Sequence, residues 1–346
     1  MSNYVSILIA FLLLISCKDS FNELSVEKNK YDLTTELLLE NKDHALDIAK
    51  FYNKGKEGYF TGEDSINIYF KIFKQPKTDK GAILISSGRT EAAIKYQELI
   101  FDLYSNGYSI YILDHRGQGL SDRMTEDPDM GYIDDFQFYI DDMKYFYTNY
   151  LIPNNHKRTY LLSHSMGGAI GMTYLEQYPN DFNAAAFSSP MLGLKTLTCS
   201  AVKILASEEP KYALGETKYQ EDTTSFKNNS LTGSKIRYYR MIKAFDKTPK
   251  AKLGGASYTW VDKSCKQFEY LFNNIENIKT PFILFSAEND EIIEITAHQE
   301  FVEKAKELNK NCKGYLVKNA QHELLIEKDM YRIASLNKTL LFFEDY

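Results

Sequence analysis

A serine lies at the point where a buried strand is predicted to give way to a helix. The apolar run at 159–163 indicates the strand, and helical spacing of apolar residues follows over 165–178. Ser163-His164-Ser165-Met166-Gly167-Gly168 joins them, with Ser163 where the common G-x-S-x-G nucleophile turn has glycine. The glycines would let the helix lie close to the sheet, and its N-terminus would place backbone N–H groups beside Ser165. This context favours Ser165 as a nucleophile over an ordinary N-cap serine.

A nucleophilic serine needs a base, most often histidine. Of the six histidines, only His298 and His322 come after Ser165 in the sequence. Both also follow residue 282, where the pattern of apolar strands resumes. His298 falls within a predicted helix, where we expect a solvated position. His322 follows the last predicted strand in a loop, from which an imidazole can reach over the strand ends, so we predict that His322 is the base.

Three carboxylates follow the predicted strand at 282–286, and they could orient the base. They are Glu288, Asp290 and Glu291. The chain order serine, acid, histidine fits all three. We prefer Asp290, and spacing alone leaves the two glutamates open.

A developing oxyanion would need two N–H donors, and the sequence offers one from each of two turns. One is the N–H of Met166, directly after the nucleophile, and the other is the N–H of Arg89 in the loop at 86–91. Gly88 in that loop permits close backbone approach. We interpret the Arg89 side chain itself as a surface charge.

The elements that must position these residues alternate between strand and helix. A half-buried strand at 66–72 is followed by short apolar strands and helical stretches up to a strand at 184–188, and the pattern resumes at 282. Such alternation predicts an α/β fold with a mostly parallel sheet, helices on both faces and an inserted cap domain. The predicted organisation is a signal peptide at 1–16, a tether and lead-in at 17–62, a core at 63–190 and 280–346, and a cap at 191–279.

The N-terminus carries an apolar run at 5–15 that ends in Leu14-Ile15-Ser16-Cys17. The run is too short to span a bilayer, which takes about 20 residues, and it is typical of a signal peptide. Its end resembles the lipobox of bacterial lipoproteins, which predicts lipidation of Cys17 and a membrane-anchored protein of the bacterial cell envelope. A plain secretory signal or a buried N-terminal helix is the alternative.

Composition excludes several classes of protein and partner. The chain has 346 residues, 44% hydrophobic and 25% charged, with a net charge of −6. That balance is ordinary for globular proteins and lacks the basic excess typical of nucleic-acid binding. No cysteine has metal-binding or redox spacing, so we predict no metal and no cofactor. Cys199 and Cys265 could pair in an oxidising compartment, although free thiols fit equally well.

Four motifs resemble those of a known family, together with a cap segment at 254–260. The motifs lie at 87–91, 114–121, 163–168 and 321–323. They are similar to the bacterial lysophospholipase and monoacylglycerol lipase branch of the α/β-hydrolases, the serine aminopeptidase S33-type hydrolases. The resemblance covers about 66–343 and implies a triad of Ser165, Asp290 and His322. Ser87 and Ser163 depart from it, since many relatives have His and Gly there.

The resemblance implies a serine hydrolase that cleaves carboxylic esters of single-chain lipids through an acyl-enzyme. An S33-type aminopeptidase or a general carboxylesterase is the alternative on the same core, and an inactive lipoprotein that binds a ligand is a second. An aminopeptidase would need an anionic pocket for the substrate amine. The cap contains acidic residues that keep this alternative open: Glu208, Glu209, Glu216, Glu221 and Asp222. Acyl length, head group, membrane leaflet and oligomeric state are left open.

Overall fold

The computed structural model describes residues 21–346 except 78, 196–198, 200–201, 203–209 and 221–224. The predicted signal peptide and Cys17 therefore lie outside the described residues. Among the residues that are described, no helix is long and apolar enough to cross a membrane.

A nine-stranded sheet forms the centre of the molecule, in the order β1-β9-β8-β7-β6-β4-β5-β3-β2. Pairs along β4 to β9, and the pair of β1 with β9, are parallel, whereas β2–β3 and β3–β5 are antiparallel. The strands are β1 (Phe21–Glu23), β2 (Lys56–Thr61), β3 (Asn67–Phe73), β4 (Ala82–Ser86), β5 (Ser109–Leu113), β6 (Thr159–His164), β7 (Ala184–Ser188), β8 (Phe282–Ala287) and β9 (Cys312–Val317).

Helices cover both faces of this sheet. They are α1 (Glu36–Glu40), α2 (Lys42–Tyr52), α3 (Gln97–Ser105), α4 (Gln137–Phe146), α5 (Met166–Gln177), α6 (Lys235–Lys247), α7 (Tyr258–Asn274), α8 (Ile295–Glu307) and α9 (Asp329–Asp345). Residues of α4, α5, α7 and α8 enter one core cluster, and residues of α3 and α9 enter the other. The predicted α/β fold with a mostly parallel sheet is confirmed.

The central strands read as continuous apolar runs because their side chains alternate between these two cores. In β4, Ala82 and Leu84 belong to one cluster, while Ile83 and Ile85 belong to the other. All five residues of β4 are buried. The strand is therefore fixed in register between β5 and β6, with Ser86 opposite Ser163.

Residues 21–62 differ from the sequence prediction of a tether and lead-in. They provide an edge strand on each side of the sheet, β1 beside β9 and β2 beside β3. The segment looked like a tether because its composition is polar. It contains isolated apolar residues, including Leu33 and Ile48, and both are completely buried.

The described residues between β7 and β8 include α6 and α7 and contribute no strand to the sheet. This is where the sequence predicted the cap at 191–279. A disulfide joins Cys199 to Cys265 on α7, which decides between the two alternatives for these cysteines. Cys312 is free and buried.

Candidate active site

Ser165 forms the sharp turn between β6 and α5. Its backbone has φ 51° and ψ −122°, a conformation that non-glycine residues rarely adopt and that is typical of a strained nucleophile elbow. The Ser165 carbonyl accepts hydrogen bonds from Gly168 N and Met191 N, both at 2.8 Å. These bonds hold the turn in place and present the side chain at the carboxyl end of the sheet.

Gly167 lets α5 start directly against the end of β4. A Cβ at this position would lie 2.2 Å from the carbonyl oxygen of Ser86 and 2.4 Å from that of Ser87. Only glycine fits there, because both contacts are backbone atoms that cannot rotate away. The glycine thus brings the start of α5 next to the loop that follows β4.

The structure brings the three predicted triad residues together. His322 Nε2 lies 3.1 Å from Ser165 Oγ, and His322 Nδ1 lies 2.6 Å from Asp290 Oδ2. The other oxygen, Asp290 Oδ1, accepts from the N–H groups of Ile292 and Ile293, both at 2.9 Å. Burial alone would raise the pKa of Asp290, but its hydrogen bonds to His322 and to these amides lower it. The ionised carboxylate accepts a hydrogen bond from Nδ1–H of His322, which leaves the Nε2 lone pair facing Ser165.

The other carboxylates of the 288–291 segment point elsewhere. Glu288 Oε2 accepts from Asn319 N at 2.9 Å, and Glu291 lies in the wall of the cavity beside Ser165. Geometry therefore selects Asp290, which spacing in the sequence could not do.

His298 does not have the solvated position that its helix suggested, and that expectation was wrong. It is completely buried, with Nδ1 2.8 Å from Ser286 Oγ and Nε2 2.6 Å from the carbonyl oxygen of Pro190. Burial lowers its pKa to about 4. A neutral His298 thus ties the end of β8 to the segment after β7.

The two predicted oxyanion donors come from adjacent turns. Met166 is the first residue of α5, and Arg89 lies in the loop after β4, the strand that pairs with β6. The role of their N–H groups stays a prediction. The Arg89 side chain is not a surface charge, because its Nη2 donates to Gly254 O at 2.8 Å and its guanidinium lies 5.1 Å from the centre of the Trp260 ring. Burial lowers the pKa of Arg89, and the side chain links the loop after β4 to the segment between β7 and β8.

A buried charged cluster behind the triad was missed by the sequence reasoning. It consists of Glu91, Lys95, His164 and Glu323. Lys95 Nζ donates to Glu91 and, at 2.5 Å, to Glu323 Oε2, while His164 Nε2 lies 3.1 Å from the same Glu323 oxygen. The His164 and His322 rings are 4.8 Å apart. The sequence did contain a signal for this cluster. Glu91 and Lys95 are four residues apart, and His164 and Glu323 each adjoin a predicted triad residue.

Opposite charges in this cluster support one another. Burial alone would lower the pKa of His164 and of Lys95, but the carboxylates of Glu323 and Glu91 raise both. The pKa of Glu323, which burial alone would raise, is held well below its usual range by Lys95 and His164. Glu91, His164 and Glu323 could by number and spacing hold a metal ion. The ammonium of Lys95 already supplies the positive charge between the carboxylates.

Ser165 and His322 open into a cavity of about 660 Å³. Most of its apolar wall residues come from the segment between β7 and β8, including Met191, Leu194, Leu231, Met241, Phe245 and Trp260. Of the acidic residues that suggested an amine pocket, Glu216 lies in the wall, where its Oε2 accepts from Ala256 N at 3.1 Å. Glu208, Glu209, Glu221 and Asp222 lie outside the described residues.

Comparison with known proteins identifies the family of this chain. The family model described as "Serine aminopeptidase, S33" matches residues 77–329. The chain belongs to this hydrolase family. Within it, the chain is similar to lysophospholipase L2 of Escherichia coli (strain K12), with 33% identity over 86% of this chain and 89% of the relative. A probable lysophospholipase L2 of Haemophilus influenzae is 31% identical over 83% of this chain and 91% of its own length.

Solved structures share the fold of the family. A soluble variant of monoglyceride lipase from Saccharomyces cerevisiae has a TM-score of 0.67 at 19% identity, and covers 84% of this chain and 94% of its own. A carboxyl esterase from Bacillus coagulans has a TM-score of 0.68 at 12% identity, covering 83% and 97%. The resemblance stated from the sequence motifs is therefore confirmed.

Proposed function

We propose that this S33-family protein is a serine hydrolase that cleaves the carboxylic ester of single-chain lipids, a lysophospholipase or monoacylglycerol lipase. The observation that carries the proposal is the continuous relay from Asp290 through His322 to Ser165, which lies in the wall of a mainly apolar cavity. A relay of this kind activates a serine hydroxyl, and a cavity with mainly apolar walls accepts an acyl chain.

The reaction proceeds in two halves. Ser165 Oγ attacks the ester carbonyl carbon while His322 Nε2 takes its proton, and Asp290 stabilises the imidazolium that forms. The N–H groups of Met166 and Arg89 bind the oxyanion. Collapse of the intermediate expels the alcohol, which takes the proton from His322, and leaves an acyl-enzyme. Water activated by His322 then releases the fatty acid and frees Ser165.

Three observations support a lipid ester over the alternatives. The cavity wall is mainly apolar, the curated relatives are named lysophospholipase, and the solved relatives include a monoglyceride lipase. The described acidic residue proposed for an amine pocket, Glu216, is engaged by backbone N–H. A complete relay argues against an inactive binding module, and a general carboxylesterase remains the second candidate because it needs the same relay.

A fluorophosphonate probe tests the nucleophile. It should label the wild-type protein and fail to label Ser165→Ala, and hydrolysis should fall by roughly 10⁴-fold or more in Ser165→Ala and in His322→Ala, because triad members act as a unit. Labelling that persists in Ser165→Ala would sink the proposal.

A three-substrate panel tests the substrate class. The panel contains a lysophospholipid and a monoacylglycerol of equal acyl length, and a prolyl amide. We expect each of the two lipid esters to give a higher kcat/KM than the amide. A preference for the amide would favour the aminopeptidase reading and leave the triad standing.

We also propose that the protein is anchored to the bacterial cell envelope through acylated Cys17. The lipobox-like sequence before Cys17 supports this, and a lipid substrate is consistent with it.

A further inference from the structure

A second depression lies beside the active-site cavity, between α2 and α6, and we call it the α2–α6 groove. Its volume is about 420 Å³. It shares Lys95 and Met241 with the wall of the active-site cavity. Its other walls include Ile94, directly after β4 and its loop, and Ile326, just after His322. The groove therefore lies on the carboxyl-end side of the sheet, where Ser165 and His322 lie.

Basic side chains line the rim of this groove. They are Lys42 on α2 and Arg240, Lys243 and Lys247 on α6. The three lysines are exposed, and none of the four forms an ion pair or hydrogen bond with another described residue. These charges are therefore free to meet an anionic partner.

The acidic residue in the groove wall does not balance these cations. Glu98 is buried and already paired with Arg237 at 2.9 Å and with Arg332 at 3.3 Å. Arg240 is half-buried, and burial lowers its pKa although Glu98 acts in the opposite direction. The groove thus keeps an excess of positive charge.

Apolar side chains stand among the cations. Leu46 of α2 lines the groove and is 53% exposed. Leu37 of α1, a helix that packs against both α2 and α6, is 76% exposed. An exposed surface that mixes lysines with leucines is the pattern of proteins that bind at the interface of an anionic bilayer.

We infer that the α2–α6 groove docks the protein on membranes containing anionic phospholipids, with Lys42, Lys243 and Lys247 contacting head-group phosphates and Leu46 entering the acyl boundary. Phosphates complement the unpaired cations, and each lysine near such a surface strengthens binding by about fivefold. Docking there would place the mouth of the adjoining cavity at the membrane. The inference goes beyond the proposed hydrolysis, since it requires binding but no turnover.

A matched pair of triple variants tests this inference. Lys42→Gln/Lys243→Gln/Lys247→Gln removes three charges from the groove. Lys157→Gln/Lys279→Gln/Lys313→Gln removes three exposed, unpaired lysines near the amino ends of β6, β8 and β9, on the opposite side of the sheet. The sheet and its covering helices lie within residues 21–346, so the variants are made in a chain starting at residue 18, which has no acyl anchor.

Cosedimentation with vesicles of phosphatidylcholine, with and without phosphatidylglycerol, is the measurement. The groove variant should partition roughly 100-fold less onto the phosphatidylglycerol vesicles, while the control should stay close to wild type. High salt should weaken the wild-type binding. Hydrolysis of a soluble short-chain ester should be the same in both variants, so a failed catalytic proposal would appear separately as no hydrolysis in any protein.

Three results would overturn the docking surface: equal loss in the two triple variants, equal binding to vesicles with and without phosphatidylglycerol, or release by millimolar inorganic phosphate at constant ionic strength, which would indicate a small-anion site. If the groove variant unfolds, Lys243→Gln alone replaces it, with Lys313→Gln as its control and an expected loss of about fivefold.

Discussion

Asp290 differs from the carboxylates beside it in what its oxygens accept. One oxygen faces His322 Nδ1, and the other is held by two backbone N–H groups. The two sets of hydrogen bonds have different roles. The backbone N–H groups hold the carboxylate in position, and the oxygen that faces His322 then fixes the histidine tautomer.

We expect Asp290→Asn to lower kcat by roughly 10⁴-fold, since an amide cannot hold the productive tautomer of His322. Steady-state hydrolysis of a soluble ester is the measurement. Glu288→Gln serves as the control and should remain active.

His298→Ala should keep probe labelling while losing stability, because it removes two buried hydrogen bonds. Loss of labelling in His298→Ala with the fold intact would contradict our choice of base.

The charged cluster leads to a prediction about pH. The pKa of His164 is raised in the folded protein, so its charged form stabilises the fold fully below pH 6.5, and this contribution is lost as pH rises through the folded pKa. His164→Gln should lower the free energy of unfolding by about 3 kcal/mol at pH 6, because it removes one of the two buried cations, His164 and Lys95, that compensate the carboxylate of Glu323.

Denaturant unfolding at pH 6 and pH 9 checks this prediction. The difference in the free energy of unfolding between wild type and His164→Gln should be smaller at pH 9 than at pH 6. A gap that is constant or widens would show that the charge of His164 does not support the fold.

At the scale of elements, the site depends on strand ends that meet at one edge of the sheet. Ser165 follows β6, Asp290 follows β8 and His322 follows β9, so three parallel strands deliver the triad to their carboxyl ends. The first turn of α5 packs against the end of β4 at the same edge of the sheet.

Gly167→Ala should disturb that contact. The added Cβ would meet two backbone carbonyls, so α5 must shift away from β4 and carry Ser165 and Met166 with it. We expect a loss of about 1–3 kcal/mol in stability and much slower labelling of Ser165 by a fluorophosphonate. Thermal unfolding and labelling kinetics measure the two effects, and wild-type values for both would refute the close approach.

At the scale of the whole molecule, the polypeptide from residue 21 is already part of the folded unit, because β1 pairs with β9. Cys17 precedes this strand by only four residues in the sequence. An acyl chain there would hold the hydrolase close to the bilayer.

We expect the protein to fractionate with membranes in its source cell and Cys17→Ser to be released or left unprocessed. Each buried CH₂ of an acyl chain contributes about 0.8 kcal/mol, so two or three chains anchor a protein stably. Cell fractionation with mass spectrometry of the N-terminus is the measurement. An unchanged membrane fraction with cleavage at another site would exclude lipidation of Cys17.

The sequence by itself predicted the order of strands and helices from residue 66 onward, outside 191–279, and it singled out the turn at Ser165 and the loop histidine His322. These follow from local causes: the apolar period of each element, the glycines after Ser165, and the placement of a histidine in a loop after the last strand. The family motifs added the fold and the implied triad.

Only the tertiary structure decided which carboxylate orients His322. The three acids lie within four residues of sequence, so their spacing cannot separate them, whereas their side chains have different partners in the structure. It also decided that His298 is buried, that Arg89 reaches Gly254 between β7 and β8, and that residues 21–62 belong to the fold. Each of these depends on contacts between residues far apart in the chain. A local pattern of polarity carries no information about such contacts, because a polar residue looks the same in sequence whether its partner is water or a distant backbone group.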